Sequence, residues 1–275
     1  MTASLPDLRS FFRHLAGVAA AETLPRFRSE TAITDKGGLR GEAYDPVTEA
    51  DREAERMLRV AIEEAYPDHG IYGEEFADKI GSSEYRWVID PVDGTRAFVC
   101  GVPTWTTLIG LEQEGAPVGG SVSQPLLDEQ WVTVPSEGTM LRRGGEELPA
   151  RTSGETALGN ATIMVTDIRA GEYLSTEESA AVTGLTRSCR LCRQGLDSYA
   201  FGLLASGHMD LVVEAGLSWY DIAAALPVVE GAGGVACTWT GERVTPGFVR
   251  GRVILAASRA LADQAVSRLR DTPLP

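Results

Sequence analysis

Between Trp87 and Thr95 the chain reads Trp-Val-Ile-Asp-Pro-Val-Asp-Gly-Thr. The run from Arg86 to Ile89 predicts the end of a buried strand, with Asp90 where the strand stops. Pro91 fixes φ and interrupts the ladder. Asp93 adds a second carboxylate, Gly94 lets a ligand or another chain segment approach the backbone, and Thr95 supplies a hydroxyl at the start of a helix or turn. Oxygen donors of this kind suit a hard divalent cation, and free backbone N–H groups beside them suit a phosphate. An Asx-rich turn is the plain alternative, and the length of the string argues against it.

Other carboxylates stand in positions open to two readings. Asp51 follows Thr48 by three residues, as in a capping box, and a catalytic carboxylate in the first helical turn would look the same. Glu74 and Glu75 follow a short apolar stretch and Gly73, so one of them is expected to point inward. Asp221 opens a helix and reads, taken alone, as an N-cap.

The elements that must position these groups follow from periodicity. Leu8, Phe11, Phe12, Leu15, Val18 and Ala19 share a helical face, as do Ala50, Ala54, Met57, Leu58, Ala61, Ile62 and Ala65. Residues 28–44 read as a loop with Lys36 at its centre. Residues 106–113, 118–123 and 130–134 predict an antiparallel meander, with a further strand and turn over 139–148. The polar stretch 149–159 marks a boundary between an N-terminal α+β half, residues 1–150, and a C-terminal α/β half, residues 151–275. In the second half, strands are expected over 161–165, 188–192, 210–214, 235–238 and 253–257. Helices are expected over 177–182, 198–205, 221–231 and 260–270, the third broken by Pro227. The glycine cluster Gly231-Ala232-Gly233-Gly234 follows a helix and lacks the dinucleotide fingerprint.

Composition sets the outer bounds. A chain of 275 residues with 43% hydrophobic content can bury a sizeable core. A net charge of −14 argues against nucleic acid or an anionic membrane as partner. No apolar run is long enough to span a bilayer and no signal-peptide pattern opens the chain, so a cytoplasmic protein is expected. The 4 cysteines are too few for a disulfide scaffold, and Cys189 and Cys192 read as packing residues.

Taken together, residues 45–51, Gly73-Glu74-Glu75, the Trp87–Thr95 string, Trp219-Tyr220-Asp221 and the glycine cluster resemble the inositol monophosphatase superfamily of metal-dependent, lithium-sensitive phosphatases. Residues 96–105, 195–200 and 204–215 look most like its histidinol-phosphatase branch. Tyr220 stands where inositol phosphatases more often carry Trp directly before the aspartate.

The resemblance implies a layered αβαβα sandwich and a homodimer. It also implies metal binding by Glu74, Asp90, Asp93, Asp221 and the Val92 carbonyl, with roughly two or three Mg²⁺ ions per site. Asp90 would bridge two ions, and Glu74 would hold the weakest. Gly94 and Thr95 would bind phosphate, and Asp51 with Thr95 would orient and help deprotonate the attacking water. Glu214, Asp197 and Arg187 are the expected contacts to the organic part of the substrate, with Ser198 as a further candidate.

The implied reaction is hydrolysis of L-histidinol phosphate, in histidine biosynthesis, by in-line attack of a metal-activated water. Inositol 1-phosphate, fructose 1,6-bisphosphate and 3′-nucleotides are alternative substrates. A non-catalytic relative that binds phosphometabolites fits poorly, because every expected carboxylate is present.

Overall fold

The computed structural model describes residues 7–29, 33–35 and 46–275. Most of the expected 28–44 loop, Lys36 included, lies outside the described residues. The first helix, α1 (Leu8–Thr23), buries Leu8, Phe12, Leu15 and Ala19. A short antiparallel pair, β1 (Ile33–Asp35) and β2 (Pro46–Thr48), leads into α2 (Glu49–Ala65). Thr48 and Asp51 form the capping box at its start, and Ala54, Leu58 and Ile62 are buried along its length.

A seven-stranded sheet follows, in the order β3 (Gly70–Gly73), β4 (Tyr85–Asp93), β5 (Thr106–Gln113), β6 (Ala116–Gln124), β7 (Glu129–Thr133), β8 (Met140–Arg143) and β9 (Glu146–Pro149). Within this sheet β3 and β4 pair in parallel; the rest is the expected meander, and the strand and turn expected over 139–148 are two strands, β8 and β9. The helix α3 (Thr95–Val99) interrupts it between β4 and β5. Beyond β9 come β10 (Thr162–Val165), α4 (Thr176–Thr186), β11 (Leu191–Gln194), α5 (Tyr199–Ala205) and β12 (Leu211–Glu214). The chain closes with α6 (Trp219–Ile222), α7 (Ala225–Gly231), β13 (Val235–Thr238), β14 (Val253–Ala256) and α8 (Arg259–Leu269). These strands form a five-stranded mixed sheet in the order β11-β10-β12-β14-β13.

Alternation along the strands builds the layers. Trp87, Ile89, Ile109 and Leu111 face α1 and α2, where they meet Phe12, Leu15, Leu58 and Ile62. Val88, Leu108, Val122 and Trp131 point the other way and pack on Phe201, Leu204, Ile222 and Val228 of α5–α7. That core continues to Met164, Val212 and Leu255 on one face of the second sheet. Ile163, Val213 and Ile254 on its other face meet Val182, Leu185, Leu261 and Ala265 of α4 and α8. The order is therefore helix, sheet, helix, sheet, helix: the αβαβα sandwich.

Three expectations need correction. The strand does not stop at Asp90: β4 runs to Asp93, and a register shift between Asp90 and Asp93 accommodates Pro91. The expected helix over 221–231 is two helices, and the break lies at Ala223 and Ala224. Pro227 sits in the first turn of α7, where its missing N–H costs nothing. Finally, the strand expected at 188–192 begins at Leu191, because Ser188 and Cys189 still donate to carbonyls at the end of α4.

Candidate active site

The site assembles where the bulged end of β4 meets α3, α6 and the loop before α5. Asp90 is 1% exposed at the end of the regular β4 ladder, and its Oδ1 accepts the Val92 N–H at 3.1 Å. Gly94 adopts φ 87°, a left-handed conformation that glycine tolerates best. A Cβ there would stand 3.0 Å from Cβ and Cγ of Asp197, so the close approach of that aspartate also demands glycine. Asp93 Oδ2 accepts the Ser198 N–H at 2.9 Å, tying β4 to the start of α5.

Asp221 comes from the far end of the chain. Its Oδ2 accepts the Ser218 N–H at 2.6 Å, so Asp221 is not the expected N-cap: the helix starts two residues earlier, Ser218 is its N-cap, and Asp221 is the N3 partner of a capping box. It also stands with Asp90 and Asp93, all three offering carboxylate oxygens within 4.8 Å of one another. Burial and the like charges of Glu74, Asp93 and Asp221 push the Asp90 carboxyl well above the usual carboxylate range. Asp93 is raised by burial and by Asp197. Hard oxygen donors, mutual repulsion and a spacing near the ~4.2 Å span across a Mg²⁺ ion fit a divalent cation. Glu74 lines the same cleft, outside that tight trio. Its neighbour Glu75 is also turned inward, with a side chain 3% exposed and Arg52 at 3.9 Å.

Asp51 reaches the site through Thr95. The Thr95 hydroxyl lies 3.2 Å from Asp51 Oδ1 and 3.0 Å from the Val92 carbonyl oxygen, so its one proton can go to either. Asp51 Oδ2 accepts the Thr48 N–H at 2.9 Å and its hydroxyl at 2.5 Å. The cap and the catalytic candidate are thus one carboxylate, using one oxygen for each. Burial pushes Asp51 up to about 6, with Thr48 opposing and Glu74 adding to the rise.

The cleft has a volume of about 440 Å³. Asp197 and Glu214 line its C-terminal side, and Ser198 lies beside them with its hydroxyl 2.5 Å from that of Thr106. Glu214 Oε1 accepts the N–H and hydroxyl of Thr166 at 2.8 and 2.9 Å. Burial nevertheless pushes Glu214 up to about 8.

Arg187 is not part of the site: it is the exposed C-cap residue of α4, on the outermost layer. The sequence reading missed Tyr173, Glu172 and Arg250, which do line the cleft. Arg96 pairs with Glu172 at 2.9 Å and lies over the Tyr173 ring at 4.8 Å. Glu172 and Tyr173 sit in a turn and Arg250 in a kinked single turn, where neither periodicity nor a short motif points to them.

Glu55 was also missed. It is fully buried on α2 and accepts the N–H groups of Glu75 at 2.8 Å and Phe76 at 3.3 Å. A Cβ on Gly73 would fall 2.3 Å from its Oε1. The Gly-Glu-Glu turn is therefore moulded around Glu55.

A profile of the inositol monophosphatase family matches residues 6–273. The bifunctional phosphatase IMPL2, chloroplastic, of Arabidopsis thaliana is 39% identical over 219 residues, covering 79% of this chain and 60% of that protein. The chain thus spans under two thirds of that relative's length. A histidinol-phosphatase of Streptomyces coelicolor is 35% identical over 252 residues, covering 88% of this chain and 89% of its own. Among solved structures, an inositol monophosphatase from Zymomonas mobilis superposes with a TM-score of 0.83 at 36% identity, over 98% of this chain and 99% of that one. The chain belongs to the inositol monophosphatase family, metal-dependent phosphatases that hydrolyse phosphate monoesters.

Proposed function

We propose that the protein is a Mg²⁺-dependent phosphomonoesterase that hydrolyses L-histidinol phosphate to L-histidinol and phosphate. The observation that carries the substrate is the pair of carboxylates, Asp197 and Glu214, on the side of the cleft where the leaving group would lie. Histidinol carries an ammonium and an imidazole, and a cationic group stabilises carboxylates that burial otherwise disfavours. The histidinol-phosphatase of Streptomyces coelicolor, matched over nearly its whole length, supports the same reading. The Zymomonas mobilis structure favours a second one, an inositol phosphate.

In this reading Asp90, Asp93, Asp221, Glu74 and the Val92 carbonyl hold roughly two or three Mg²⁺ ions. Bound Mg²⁺ polarises the phosphoryl group and makes water a better nucleophile near neutral pH. The backbone N–H groups of Gly94 and Thr95 orient the phosphate at the start of α3. Thr95, hydrogen-bonded to Asp51, aims the attacking water and passes its proton toward that carboxylate. A base with a value of about 6 is suited to that task. Residues 1–150 then supply most of the metal ligands, and residues 151–275 add Asp221 and the leaving-group contacts.

A cytoplasmic homodimer is also proposed, resting on family resemblance, and sedimentation at micromolar concentration tests the dimer. The substrate test compares kcat/KM for histidinol phosphate, inositol 1-phosphate, fructose 1,6-bisphosphate and a 3′-nucleotide at equal Mg²⁺. Histidinol phosphate should lead by at least about tenfold, a discrimination expected of buried charged contacts. Equal or greater turnover of inositol 1-phosphate transfers the assignment to the second reading.

A further inference from the structure

We infer that Glu112 is a positioning residue for Asp221, acting through the indole N–H of Trp219. The inference rests on the proposed role of Asp221 as a Mg²⁺ ligand.

Local structure alone holds Asp221 weakly. The helix that carries it, α6, has four residues, and Ala223 N–H to Trp219 carbonyl at 3.0 Å closes its single turn. Isolated helices this short do not persist in water. Something outside α6 must therefore set where Asp221 stands relative to Asp90 and Asp93 on β4.

Two contacts from the seven-stranded sheet do so. The first is steric. Gly110 and Gly120, on β5 and β6, leave room for the backbone at Ala223 and Ala224: a Cβ on Gly120 would fall 2.1 Å from the Ala224 carbonyl oxygen. The second is polar and directional. Trp219 Nε1 donates to Glu112 Oε1 at 2.5 Å, and Arg86 Nε donates to Glu112 Oε2 at 2.6 Å. Glu112 and Trp219 are 0% and 6% exposed. Arg86 and Glu112 face each other across β4 and β5, the strand that carries Asp90 and Asp93 and its neighbour. Glu112 thus fixes Trp219, two residues from Asp221, to the frame that holds the other two carboxylates.

A carboxylate is a costly way to fill a buried position. The Glu112 ion pair with Arg86, whose side chain is 38% exposed, adds little net stability, and the best-attested use of a buried ionic group is to fix register. Neither Glu112 nor Trp219 lines the cleft, whereas Ser218, Tyr220 and Asp221 beside Trp219 do, so their effect on the site passes through this short segment and the carboxylate it carries.

The test uses the purified full chain and Mg²⁺ alone, read by titration calorimetry without substrate. Activation of hydrolysis by Mg²⁺ is followed in parallel. Trp219→Phe removes the N–H and keeps the ring; it should weaken Mg²⁺ binding about tenfold, the scale of losing an outer partner of a metal ligand. Glu112→Gln keeps an acceptor for the indole and should stay within about threefold of wild type. Trp131→Phe is the control, because it deletes another indole N–H from the same core, the 2.6 Å bond to Ser206 Oγ. It should lower stability and leave Mg²⁺ binding within about twofold.

Wild-type affinity in Trp219→Phe, or an equal loss in Trp131→Phe, overturns the inference while leaving the metal site intact. Wild-type protein that takes up no Mg²⁺ overturns the metal reading itself, and the inference with it. Should Trp219→Phe fail to fold, Glu112→Met strips the acceptor and carries the same tenfold expectation.

Discussion

At the residue scale, three substitutions separate the roles proposed for the site. Asp93→Asn removes a charge from the trio that lies within 4.8 Å. It should lower kcat/KM by about 10³ or more, with an unchanged far-UV spectrum. Thr95→Ala deletes the hydroxyl between Asp51 and the Val92 carbonyl. Its expected signature is a fall in kcat of about 10²-fold with KM nearly constant, as for a group that acts mainly in the transition state. Glu214 makes a pH prediction. Its ordinary value is 4.5, and burial raises it to about 8, with the Thr166 bonds opposing and Asp197 and Asp93 adding to the rise. A carboxyl held protonated in the folded chain favours folding fully below its unfolded value, and that contribution is lost as pH rises through the folded value. Metal-free protein should therefore lose thermal stability between about pH 5 and about pH 8, by at least ~3 °C in Tm. Glu214→Gln should flatten part of that fall, and a parallel slope in the variant would count against the buried proton.

At the element scale, the active-site strand and short helices are held by close packing against neighbours. Gly120 is the sharpest example, since its missing Cβ lets the α6–α7 corner rest on β6. Gly120→Ala should cost about 2–4 kcal/mol in urea unfolding, an overpacking penalty against backbone that has nowhere to move. Glu55 does comparable work for the turn after β3. Its carboxylate accepts two backbone N–H groups and pairs with Arg59 at 2.8 Å. In the sequence Glu55 looks like any polar position on an amphipathic helix. The stripe of Ala54, Leu58 and Ile62 was legible; that a glutamate beside it points inward depends on a turn some twenty residues later.

At the scale of the whole molecule, the central helices α5–α7 belong to both sheets. One continuous core runs from Val88 and Trp131 on the first sheet to Met164 and Leu255 on the second. Neither half could keep that surface buried alone. Urea unfolding followed by tryptophan fluorescence and by far-UV circular dichroism should therefore give coincident transitions. Separate midpoints would mean that the sheets unfold independently and that the shared layer contributes little.

The sequence by itself determined the family and most of the elements. The Trp87–Thr95 string carries its oxygen-donor residues within nine positions, and strand and helix periods follow from which faces must leave water. It also placed the antiparallel meander that follows the string. Tertiary structure alone decided how carboxylates distant in sequence meet. Asp51 and Asp221 each complete a capping box, yet Asp221 also lines the cleft and Asp51 also meets the Thr95 hydroxyl, which no local pattern distinguishes from capping residues that do neither. Arg187 looked equally eligible and lies on the outer layer. Glu112 reads as a strand-end charge until Arg86 and Trp219 close around it. Local propensity is set by near neighbours, whereas the location and ionisation of a buried charge depend on groups that only the completed fold brings within a few ångströms.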